Sequence, residues 1–176
     1  MDRVTFSYHP NIYDLDPSVF YENSEGLLCQ VCGQKPSLYL ERMYTVEKIS
    51  CLCPSCVASG AAARKFKGDF IQEAEWEKVS DSERVKHFFE TTPGYVSWQG
   101  EMWLACCDDF CNFIDYVGME KLQKMPEKKT ILADYAKRQE YSRDTVEEYL
   151  SRSGDMTGYL FQCRHCKNYH LYVDAS

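Results

Sequence analysis

Short stretches of alternating apolar and polar side chains are separated along this chain by segments with helical spacing. Val4-Thr5-Phe6-Ser7-Tyr8 alternates and predicts a strand, which His9-Pro10-Asn11 breaks. Asp14, Asp16, Pro17 and Ser18 then read as an irregular segment or one helical turn. Ser37-Leu38-Tyr39-Leu40 and Met43-Tyr44-Thr45-Val46 have the aromatic and branched content of two hairpin strands. A second hairpin is predicted from Tyr159-Leu160-Phe161 and His170-Leu171-Tyr172-Val173. Helices are expected over 57–66, where alanines dominate, and from a cap at Ser80 or Asp81 to about Glu90. Further helices are expected through 113–117, capped by Asp108 and Asp109, and over 119–125, 131–136 and 146–150. Between Thr92 and Leu104, turn formers stand beside Trp98 and Trp103, which favours an aromatic core centre over a binding groove. Gln99 and Glu101 are the polar side chains such a groove would use.

The cysteines change this picture most. Cys29 and Cys32, then Cys53 and Cys56, form a C-x2-C-x20-C-x2-C pattern. Two thiolates three positions apart can face one ion, and two such knuckles supply the four sulfurs that structural zinc prefers. A redox C-x-x-C would stand alone, so the stretch at about 27–57 is read as a zinc ribbon. Gly33 follows the first pair, where a knuckle needs a positive φ, and Cys51 is left outside the site. Cys107 and Cys111, four apart and so on one face of the expected helix, are paired with the knuckle Cys163-Arg164-His165-Cys166 as a second zinc site. Cys106, His165 and His170 are its possible substitutes. The fold expected is α+β: one compact domain spanning 1–176, with zinc-ribbon-like hairpins and several short helices.

The chain has 176 residues, with 27 Asp and Glu against 20 Lys and Arg, a formal charge of -7. A negative surface repels phosphate and attracts basic proteins, which argues against a nucleic-acid partner. The N-terminus lacks a basic region followed by an apolar run, and no apolar run reaches transmembrane length, so neither export nor membrane insertion is expected. Ten cysteines without a secretory signal fit a reducing compartment, and the cytoplasm is expected.

Several stretches together resemble the CbrC family of bacterial proteins: Phe6-Ser7-Tyr8-His9-Pro10, the Cys29 pair, and Cys53-Pro54-Ser55-Cys56 continued by Ala63-Arg64-Lys65-Phe66-Lys67-Gly68-Asp69-Phe70. So do Thr92-Pro93-Gly94-Tyr95 through Trp98-Gln99-Gly100-Glu101, and the Cys163 pair. In the family pattern a histidine commonly precedes the cysteine matching Cys107, where this chain has Cys106, and glycine often follows the last knuckle, where it has Lys167. The resemblance carries no established enzymatic activity. It implies bacteriocin tolerance and immunity to secreted nuclease toxins of neighbouring bacteria, and an acidic, aromatic-rich protein is suited to occlude a basic nuclease cleft. The expectation is therefore a non-enzymatic immunity protein with no direct nucleic-acid contact. Its rivals are a zinc-ribbon adaptor or nucleic-acid binder, which needs a local basic face, and an enzyme, which needs an open zinc position near Cys106, His165, His170 or Glu101.

Overall fold

The computed structural model describes residues 3–16, 18–137 and 141–176, so Pro17, part of the segment expected to be irregular, lies outside the described residues. The chain opens without a ladder at Phe6 and Tyr8, although both are buried while Thr5 and Ser7 are exposed, so the alternation reports burial and not strand pairing. One turn of helix, α1 (Ile12–Leu15), follows and leads to β1 (Tyr21–Glu22), which pairs antiparallel with β2 (Leu38–Tyr39). The expected hairpin between 37–40 and 43–46 does not form. Leu40 bridges Leu52 and Tyr44 bridges Asp69, because each strand finds a more distant partner that also closes the N-terminal core.

Helix α2 (Pro54–Ala58) begins on the second knuckle, and α3 (Ala61–Phe66) continues after a turn at Gly60. Strand β3 (Glu73–Ala74) precedes α4 (Ser82–Thr91), whose N-cap is Asp81; its carboxylate accepts from the N–H of Glu83 at 3.0 Å and of Arg84 at 3.2 Å. Strand β4 (Met102–Trp103) lies parallel to β3. The region expected as a helix after Cys107 is instead the hairpin β5 (Ala105–Cys106) and β6 (Asp109–Phe110), followed by β7 (Asn112–Val117). Phe110, Phe113, Tyr116 and Val117 suit a pleated surface, and Asp108 and Asp109 are spent on tertiary contacts and not on a helix cap. The helices α5 (Met119–Leu122), α6 (Lys128–Tyr135) and α7 (Arg143–Tyr149) overlap the expected stretches, α5 ending at Leu122 and α6 and α7 each beginning three residues earlier, α7 capped by Ser142. Strands β8 (Met156–Gln162) and β9 (Tyr169–Ala175) complete a three-stranded antiparallel sheet in the order β7-β8-β9, with Tyr116, Tyr159 and Tyr172 in register across it.

Strand β8 divides two cores. Tyr159 and Phe161 join an aromatic cluster with Tyr8, Phe88, Tyr95, Trp103, Phe110 and Phe113. Met156 and Leu160 point the other way, into a cluster formed with α5, α6 and α7. A bulge between Phe113 and Asp115 keeps β7 in both: Phe113 faces the aromatic core and Val117 the helical one. A third core, around Phe6, Ile12, Phe20, Leu52, Val57 and Phe70, lies under the first cysteine pairs. The molecule is thus a single α+β domain of small sheets and short helices, and no helix among the described residues is long and apolar enough to cross a membrane.

Candidate metal centres

The first knuckle is built by local hydrogen bonds. The Cys29 N–H donates to the Gln34 carbonyl at 2.8 Å and the Gly33 N–H to the Cys29 carbonyl at 2.8 Å, a loop that closes only because Gly33 takes φ 71°. The second is the N-terminus of α2: Cys53 is its N-cap, and the Cys56 N–H donates to the Cys53 sulfur at 3.4 Å. Strand contact between Leu40 and Leu52 brings the two together, and the Cys53 N–H then reaches the Cys29 sulfur at 3.3 Å. The Sγ atoms of Cys29, Cys32, Cys53 and Cys56 all lie within 4.8 Å of one another. Cys51 is buried outside this group.

The second group is not the one expected. Cys106, Cys107, Cys163 and Cys166 converge within the same 4.8 Å, while Cys111 lies fully buried in the aromatic core, its carbonyl accepting from Trp103 Nε1 at 2.7 Å. The pairing of Cys107 with Cys111 assumed a helix; in the hairpin that forms, Cys107 (φ 54°) and Asp108 (φ 61°) make a left-handed turn that swings the adjacent sulfurs of Cys106 and Cys107 to one side, 3.7 Å apart. The β8–β9 turn supplies the other half. There the Cys163 N–H donates to the Asn168 carbonyl at 2.9 Å and Lys167 takes φ 63°, reproducing the roles of Gln34 and Gly33 in the first knuckle. His165 and His170 are held elsewhere: His165 Nε2 is 2.9 Å from Asp109, and His170 Nδ1 is 2.7 Å from Asp134. The signal for Cys106 was present as two adjacent cysteines before Asp108-Asp109, a composition typical of turns.

The donor sets fit a tetrahedral ion. Zinc–sulfur bonds of about 2.3 Å place neighbouring sulfurs about 3.8 Å apart. Cys32 and Cys53 are 3.8 Å apart, as are Cys106 and Cys166. Burial raises the Cys29 thiol, but backbone N–H groups of Cys32, Cys53 and Val31 outweigh it and bring it down to about 7; Cys163 is brought to about 7 against burial by the N–H groups of Cys166 and His165. Burial and neighbouring sulfurs raise Cys56 and Cys106 instead. Four sulfurs leave no position open for substrate, so such a site holds architecture together.

Around the second group, the buried Asp109 carboxylate accepts from Tyr8 Oη at 3.0 Å and lies 3.4 Å from Arg164 and 3.9 Å from Arg84. Burial first, and Asp109 second, push the Tyr8 hydroxyl up to about 12, so it stays a donor. Asp108 accepts from the N–H of Ser80 at 2.6 Å and from its hydroxyl at 2.9 Å, fixing the turn that carries Cys107 to the start of α4. Sequence pattern gave no sign of this carboxylate anchor.

A family model for an uncharacterised protein family, UPF0167, matches residues 4–175. The chain belongs to the UPF0167 family. It is 31% identical over 176 residues to UPF0167 protein Mb2317 of Mycobacterium bovis and, equally, to UPF0167 protein MT2352 of Mycobacterium tuberculosis, covering 96% of this chain and 91% of each relative. UPF0167 protein PA1536 of Pseudomonas aeruginosa is 31% identical over 175 residues, covering 96% of this chain and 95% of the relative. No solved structure matches. The UPF0167 match spans both groups of four cysteines.

Proposed function

We propose that this UPF0167 protein is a CbrC-type immunity protein, which binds a basic toxin, a nuclease delivered by neighbouring bacteria, and occludes its active site. The observation that carries this reading is a set of aromatic side chains held outside three filled cores on a chain of charge -7: Trp98 is 58% exposed and Trp76 54%. Exposed tryptophans serve as interface anchors, and negative charge speeds encounter with a basic partner. Two cations near the second cysteine group support a protein partner over nucleic acid, because Arg84 and Arg164 both stand beside the Asp109 carboxylate. Each group of four cysteines holds one Zn2+ in this reading, as a rigid support for that surface. The protein acts by binding in the cytoplasm and catalyses nothing.

Co-production with the toxin encoded beside its gene tests the binding role: survival should rise by orders of magnitude, and equal killing with and without this protein would sink it. Native mass spectrometry of gently purified protein tests the metal: two zinc ions are expected, and one would retire the Cys106, Cys107, Cys163 and Cys166 site.

A further inference from the structure

Beside Val96 lies a cleft of about 330 Å³ that neither cysteine group touches. Its lining mixes the apolar Val19, Leu40 and Phe70 with the charged Glu41, Arg42 and Glu101, and Tyr44 and Tyr95 complete it. Glu101 is only 6% exposed. Its Oε1 accepts from the Gln72 N–H at 2.8 Å, and the Tyr44 hydroxyl donates to Oε2 at 3.1 Å. Gly94 lets this carboxylate approach, since a Cβ there would come within 2.6 Å of Oε1. These partners are neutral, and no Lys, Arg or His forms an ion pair with Glu101 among the described residues; Arg42, exposed at the cleft, acts on it from a distance.

A buried carboxylate in such a cleft is unusual, because burying charge without an ion-paired cation is costly. Burial does hold the Glu101 carboxyl above its ordinary range, against the lowering effect of its own N–H, the Gln72 N–H, Tyr44 and Arg42. The shape matches a long cationic side chain: the apolar side chains take the methylene stem, the carboxylate takes the head, and the half-exposed Tyr44 stands beside it.

We infer that this cleft receives a lysine or arginine side chain of the basic partner, with Glu101 as its charged contact and Val96 at its apolar edge, two residues from the exposed Trp98. This deepens the toxin-binding reading and rests on it for the partner, while the pocket itself is testable without a toxin.

The test is titration of N-acetyl-arginine methylamide and N-acetyl-lysine methylamide, followed by amide NMR shifts, with N-acetyl-norleucine methylamide as the uncharged control. The cationic probes should shift Gly94, Tyr95 and Gln72, and the control should not. Glu101→Gln keeps an acceptor for Gln72 and should weaken binding at least tenfold; Arg42→Ala, at an exposed position, should tighten it severalfold by removing a competing charge. Equal shifts from norleucine, no shifts at those residues, or unchanged affinity in both variants would overturn the cleft. If the cationic probes bind as stated but the protein fails to protect against the toxin, the immunity reading falls and the cleft stands. If protection is intact and Glu101→Gln binds the toxin as tightly as wild type, the cleft's role in docking falls and immunity stands.

Discussion

The two cysteine groups share one half and differ in the other. In each, a C-x-x-C knuckle is followed by a left-handed residue, Gly33 at φ 71° or Lys167 at φ 63°, and the first cysteine N–H donates to a carbonyl five residues on. The completing halves have nothing in common. One is a helix N-terminus with Cys53 as cap; the other is a tight strand turn through Cys107 and Asp108. Burial differs too: Cys29, Cys53 and Cys56 are buried and only Cys32 is exposed, whereas in the second group Cys163 alone is buried and Cys107 and Cys166 are exposed. A knuckle is therefore a self-contained local solution, while its complement can be any backbone that puts two sulfurs on one side. The first group sits over the N-terminal core and joins segments of modest separation; the second ties the β5–β6 turn to the β8–β9 turn at the edge of a core already filled by aromatic rings.

The largest effect expected from this contrast is on the first group. Cys53→Ser removes a buried sulfur that is at once a candidate ligand, a helix cap and a hydrogen-bond acceptor. It should lose one metal equivalent and several kcal/mol of stability, about the scale on which structural zinc supports small domains, with loss of protection in α2 and α3 by hydrogen exchange. Retention of both metals and of the melting temperature would break the comparison at its root.

The next effect separates Cys106 from Cys111. Cys106→Ser should release one metal while β8 and β9 stay paired, because that sheet has its own cores; Cys111→Ala should keep both metals and cost about 1 kcal/mol of packing. The reverse pattern in metal content would restore Cys111 as the ligand.

A smaller difference is kinetic. Challenged with a zinc chelator and a thiol reagent, the zinc-loaded protein should release metal in two phases, the exposed second group at least tenfold faster, and Cys166→Ser should remove the fast phase. A single phase would mean that exposure does not govern release.

The finest test exchanges the left-handed residues. Lys167→Gly should stabilise by about 1 kcal/mol because it relieves a side chain at φ 63°, and Gly33→Ala should destabilise by about 1–2 kcal/mol. Thermal melts of the metal-loaded variants report both signs, and an unchanged melting temperature in each would show that the left-handed residue limits the stability of neither knuckle.

What was legible follows the range of the interactions involved. The Cys29 and Cys163 knuckles, the cap expected at Ser80 or Asp81, the helix that starts on the second knuckle and the β8–β9 hairpin all depend on residues within a few positions of one another. Spacing and residue type suffice for those, because dihedral preference and short-range hydrogen bonds decide them. The strands near Leu38 and Tyr44 were visible as strand-like sequence, but their partners were not, since pairing depends on which distant segment also closes the core.

By itself the sequence determined the α+β character, the first group of four cysteines and three of the four in the second. The tertiary structure alone decided that Cys106 replaces Cys111, that Trp103 is core while Trp98 faces outward, and that Asp109 gathers Tyr8, Arg84, Arg164 and His165. The physical reason is the same in each case. A thiol or an indole is compatible with a ligand shell, a core or a surface, and which of these it occupies is set by burial summed over the whole chain.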